Sequence, residues 1–163
     1  MNLFLNPYLY WLPSSMPFLK IGETRYYSDF PICKLNGFKA GLLRRWKTTV
    51  NKYNSIRSKT GEFYMKNLGL KDNMPIYSSN YPYLRFPVYA ESNMVKNDKC
   101  NHFGFLGISP MYPDSVNNIE EIKCKFQGLE YRNAKLIANT LITLPTHCKL
   151  NDIDKEKICR VFK

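Results

Sequence analysis

Tyr131-Arg132-Asn133-Ala134-Lys135-Leu136-Ile137-Ala138-Asn139-Thr140-Leu141-Ile142-Thr143-Leu144-Pro145-Thr146-His147 is the stretch on which the fold turns. Residues 130–139 favour helix, and the apolar spacing predicts an inner face of Leu136, Ile137 and Ala134. Residues 140–144 are rich in β-branched and aliphatic side chains and predict a strand. Pro145 stops the run, and Asp152 opens a last helix with acids first and bases last, as the helix dipole favours. Ile153, Ile158, Val161 and Phe162 are that helix's candidates for the core.

Working outward, residues 84–90 form a second strand, and Pro87 inside it predicts an edge position or a strand bulge. Residues 91–105 are polar, with a short helix starting at Ser92. Residues 107–113 are a short extended piece closed by a turn. Residues 114–129 are a connection anchored by Ile119, Ile122 and Phe126. Upstream, Phe38, Leu42, Trp46, Val50, Tyr53, Thr60 and Phe63 recur at helical spacing, predicting one long helix over 37–66 with a core-facing stripe. It would be about 45 Å long at 1.5 Å per residue. Asn36 is the expected N-cap and Gly69 the stop. The order helix, strand, strand, helix, strand, helix predicts an α+β fold, a small antiparallel sheet packed against a long helix and shorter helices.

The chain has 163 residues with 44% hydrophobic and 15% aromatic content, enough for one domain with a real core. Residues 1–35 read as an irregular arm, punctuated by Pro7, Pro13, Pro17 and Pro31 and dense in aromatics; residues 36–163 read as the folded domain. An arm this apolar is expected to pack on its own domain or on another chain. The net charge of +11 is concentrated between Lys39 and Lys66, where eight basic residues face one acid, Glu62. Basic residues in the first helical turns oppose the helix dipole, a cost that a partner would offset. One reading is therefore a basic module contacting nucleic acid or another polyanion through helix 37–66. The aromatics Trp46, Tyr53 and Tyr64 share the apolar stripe, however, which favours core over base stacking.

Catalytic signatures are missing. Neither a glycine-rich phosphate loop, a nucleophile elbow nor a zinc-binding helix motif occurs. The two histidines are His102 and His147, and the acids Asp152, Asp154 and Glu156 read as a charged helix start. The five cysteines lack C-x-x-C spacing, so free thiols in a reducing compartment are expected rather than disulfides or a metal site. No apolar run is long enough to span a membrane, and the cytoplasm is the expected location.

Three stretches taken together carry a family resemblance. They are residues 35–57, with Leu35, Phe38, Ala40 and Leu42 leading to Asn54-x-x-Arg57; Arg85-Phe86-Pro87-Val88 followed by Gly107-Ile108-Ser109-Pro110-Met111-Tyr112-Pro113; and residues 134–147 with their Leu-Pro-Thr-His close, then Asp154 and Ile158. The pattern resembles the C-terminal part of the DegT-type sugar aminotransferases, fold-type I enzymes that use pyridoxal phosphate (PLP). The resemblance covers roughly residues 20–163 and implies a small C-terminal domain. It implies that the Schiff-base lysine and the rest of the PLP pocket belong to a large domain that precedes this region. No lysine here lies in a context resembling the Schiff-base motif, so no catalytic residue and no cofactor are expected for the isolated chain. Where such enzymes carry an Asn-x-Arg that reaches the neighbouring subunit's site, this chain has Ile32 and Lys34. By resemblance, Lys34 is a residual phosphate contact, and Tyr112 and His147 either face the substrate or serve the turn and the core. The implied partner is a large PLP-binding chain, or a homodimer mate met through the 1–35 arm.

Overall fold

The computed structural model describes residue 18 and residues 31–70, 77–78, 80–112, 114–126 and 128–163. Most of the expected aromatic arm, residues 1–17 and 19–30, lies outside the described residues. Among the described residues, five α-helices and two strands follow in the order α1 (Gly37–Leu42), α2 (Trp46–Asn67), β1 (Arg85–Tyr89), α3 (Asn93–Phe103), α4 (Arg132–Thr140), β2 (Leu141–Pro145) and α5 (Asp152–Arg160). The fold is α+β, as the element pattern predicts.

The two strands pair antiparallel, with Arg85 opposite Pro145 and Val88 opposite Ile142. Ala90 N donates to Thr140 O at 2.8 Å just beyond them. That bond sets the alternation: the 86–144 and 88–142 rungs are hydrogen-bonded, whereas 85–145, 87–143 and 89–141 are not. Pro87 therefore sits where its nitrogen points away from β2, so its missing N–H breaks no rung. By the same alternation Thr143 turns its backbone outward from β1, and Ser109 takes it. Ser109 N donates to Thr143 O at 3.1 Å, and Thr143 N to Ser109 O at 2.9 Å. β2 is thus flanked on both edges, and all five of its residues are buried.

Phe86, Val88, Ile142 and Leu144 share one face of the pair, and all are buried. Phe86 lies among three tyrosine rings: Tyr64 at 5.5 Å, Tyr77 stacked at 5.6 Å and Tyr83 edge-on at 5.1 Å. Ile108, Cys100, Ile158 and Cys159 complete the core. Tyr83 also approaches α2 closely enough that a Cβ on Gly61 would lie 3.2 Å from its ring, which accounts for a glycine inside that helix. Gly107, at φ +81°, turns the chain under Pro145.

Caps fix the helix starts. Asn36, Ser92 and Asn151 accept from Lys39 N, Val95 N and Asp154 N. The predicted single helix over 37–66 is two: it breaks at residues 43–45 into α1 and α2. Arg45, the N-cap of α2, makes no side-chain cap, and no acid lies in the first turn. Two core expectations are corrected. Ala138 and Thr140, not Ala134, Leu136 and Ile137, face inward on α4, because Thr140 ends the helix and hands the chain straight into β2. Ile153 is exposed, while Ile158 is fully buried. Ile122 is buried as the expected anchor of its connection.

Candidate functional site

Two groups of side chains stand out: buried cations around β2, and an uncovered face on α1 and α2. Arg85 opens β1. Its Nε donates to Thr143 Oγ1 at 2.7 Å, and its Nη2 donates to Thr143 O at 2.9 Å and to Gly107 O. Burial lowers its pKa, offset by nearby Tyr64. With three acceptors already engaged, the guanidinium acts as a clamp across β1, β2 and the Gly107 turn.

Lys96 is the second buried cation, only 2% exposed. Its Nζ donates to Tyr112 O at 3.0 Å and to Ala138 O. Ala138 lies in the last turn of α4, where carbonyls lack helical partners and a cation is favoured. Burial holds the Lys96 pKa below the ordinary lysine value, opposed by Cys100. Neither cation was visible as such in the sequence. Lys96 sits in a polar, weakly patterned segment, and nothing there distinguishes it from the exposed lysines.

Of the residues singled out by resemblance, Tyr112 is half exposed, and its backbone carbonyl rather than its ring is engaged. His147 follows β2 at the surface. Partial desolvation, then the charges of Arg85 and Lys149, hold its pKa below the ordinary histidine range. The two do not converge. Ser109 meets Thr143 antiparallel, so the chain reaches Tyr112 beside the start of β2, whereas His147 leaves its far end. The separation is on the order of 20 Å along the strand. Lys34 is exposed in the lead-in to α1 and makes no hydrogen bond or ion pair with a described residue. Among the described residues no group of histidine, cysteine and acid side chains could hold a metal, and all five cysteines are free.

The described residues do not form a PLP site. Lys96, the one lysine buried among the described residues, is committed to two backbone carbonyls, and Lys34 faces solvent. An apolar groove of about 410 Å³ lies between the end of α3 and α5, lined by Phe103, Phe105, Leu106, Lys157, Arg160 and Val161. It is broad and open and brings no acid or nucleophile to its wall.

The helix face is the stronger candidate. At about 100° per residue, Trp46, Val50 and Tyr53 fall on the same line of α2 as Thr60, Gly61 and Tyr64. The lower half of that line is core: Thr60 is 3% exposed and Tyr64 0%. The upper half is not. Phe38 and Leu42 on α1 are 76% and 71% exposed, Trp46 58% and Tyr53 39%. The predicted core stripe of helix 37–66 is therefore core only from Thr60 onward, because the sheet and α5 reach no further along the helix. Roughly 20 Å of helix overhangs the body with its apolar side bare.

No family model, no curated protein and no solved structure matches this chain. Among the described residues no helix is long and apolar enough to cross a membrane.

Proposed function

We propose that residues 36–163 are a partner-dependent small domain of the aminotransferase type, resembling the C-terminal domain of PLP-dependent nucleotide-sugar aminotransferases and without catalysis of its own. The large PLP-binding domain would be supplied from outside these residues. One observation carries the reading: the line of α2 that packs on the sheet continues, bare and apolar, over Tyr53, Val50 and Trp46. Contiguous exposed apolar surface at this density marks an interface. The α+β architecture and the order of the three motif stretches agree with it. Five cysteines without a disulfide among them suit a reducing compartment, and we assign the cytoplasm.

The test is reconstitution. The purified chain is expected to give no PLP absorbance band that survives dialysis. Mixed or coexpressed with a PLP-binding large domain, it should copurify and support transamination of a nucleotide sugar. A stable, lysine-dependent PLP band from the chain alone would refute the proposal.

A second reading has one observation in its favour. Trp46 and Tyr53 are outside the core, among cations, where they could stack on bases. Retardation of single-stranded RNA or DNA at low salt, lost on raising salt, is its signature. The absence of retardation at low ionic strength would dispose of it.

A further inference from the structure

The overhanging face has a bare apolar centre, and the charged residues around it are all cations. Arg45 and Lys47 lie about 100° to either side of Trp46, and Lys52 lies on the Arg45 side. Between residues 37 and 59 there are seven basic residues and no acid. The start of α2 adds to the positive field, since it has neither a side-chain cap nor an acid in its first turn. We infer that the face of α2 carrying Trp46, Val50 and Tyr53 docks a protein surface that is apolar in the middle and rimmed by carboxylates.

Charge selects this occupant over the others. A second copy would bring an equal set of cations against the first, and like charges across an interface are strongly disfavoured. Residues 1–30 carry Lys20, Arg25, Glu23 and Asp29, hence no net countercharge, although their apolar side chains would suit the centre. A nucleic acid would match the border but not Val50, which offers neither stacking nor hydrogen bonds. A carboxylate-rimmed protein surface satisfies three features together: the apolar line, the cations beside it and the uncapped start of α2. The inference rests on the partner-dependent reading for the existence of a partner. Its test uses neither PLP nor a large domain, so either can fail alone.

The probe is a synthetic helical peptide with leucines at heptad a and d positions and glutamates at the flanking positions. Its counterpart carries lysines in place of the glutamates. The full chain is used as the Trp11→Phe variant, leaving Trp46 as the single tryptophan. The glutamate peptide should shift Trp46 emission to the blue saturably, protect it from acrylamide, and bind at least about tenfold more weakly at 500 than at 50 mM salt. Val50→Asp should weaken binding about thirtyfold, as expected for a change at an interface centre. Leu136→Asp, on exposed α4, should leave it unchanged. Circular dichroism of both variants controls for folding. Equal binding of the two peptides, or binding of neither, overturns the inference. So does displacement of the glutamate peptide by oligouridylate. Trp46 already shielded in the free chain also overturns it, in favour of a second copy if sedimentation gives a dimer that Val50→Asp dissociates, and of residues 1–30 if it gives a monomer.

Discussion

Tyr64→Phe removes one oxygen, and the register of the sheet determines its cost. Pro145 occupies a non-hydrogen-bonded rung opposite Arg85, so its carbonyl points away from β1. Tyr64 OH donates to that carbonyl at 2.9 Å, from a side chain that is fully buried. Phenylalanine keeps the ring contacts with Phe63 and Phe86 but leaves the carbonyl unpaired. Losing a buried hydrogen bond and orphaning its acceptor costs about 1–3 kcal/mol. For a chain of this length that is a fall in Tm of roughly 2–12 °C, measurable by circular dichroism or calorimetry at pH 7.

A pH series separates this bond from general loosening of the core. Burial raises the Tyr64 pKa above its ordinary value of 10, with Cys159 adding to the shift and Arg85 opposing it. The sign follows: a group whose folded pKa is raised gives stability that is full below the unfolded value and lost as pH climbs past it. In the wild type, the part due to Tyr64 declines above pH 10; in the variant that part is missing. The gap between the two proteins should shrink as pH rises above 10, with all other titrations common to both. A Tyr64→Phe protein as stable as the wild type at pH 7, or a gap that stays constant through the alkaline range, would refute the placement of this hydroxyl.

Three further substitutions probe other parts of the fold. Phe86→Ala empties the centre of the tyrosine cluster and should cost about 3–5 kcal/mol, whereas Phe38→Ala, on the overhang, should change stability by less than about 0.5 kcal/mol; urea titrations of the pair compare core with bare face directly. Gly107→Ala must hold φ near +81° with its Cβ 3.1 Å from the Pro145 ring, so a loss of more than about 1 kcal/mol is expected on thermal melting. The His147 pKa is lowered in the folded state, so the unfolded chain takes up the proton first and stability drops as pH falls from above 6.5; His147→Gln should remove that part of the loss in melts taken between pH 7.5 and 5.

Much of the fold was legible because local chemistry and tertiary structure agree. Asn36 and Asp152 mark helix starts, the run before Pro145 is a buried strand, and Pro87 lies on an edge where its missing N–H is harmless. What was not legible depends on neighbours distant in sequence. Leu136 and Ile137 have the spacing of an inner face, but α4 is tied down at its end through Ala138 and Thr140, and the two larger residues are left outside. Lys96 gives no sequence signal at all, since its burial requires that Tyr112 and Ala138 bring their carbonyls to one place.

The stripe on α1 and α2 is the most telling mismatch. Periodicity reports which residues share a helix face, but it is silent on what lies opposite. From Thr60 to Tyr64 the sheet and α5 lie opposite, and Thr60, Gly61 and Tyr64 are buried; from Trp46 to Tyr53 the same line continues past the end of the body, and Phe38 and Leu42 are exposed on α1 beyond the break. A solvated face would have no reason to keep tryptophan, valine and tyrosine in register with a core. Such a line is economical only if something covers it. The cations beside it, with no acid among them before Glu62, would complement the carboxylate-rimmed cover inferred above.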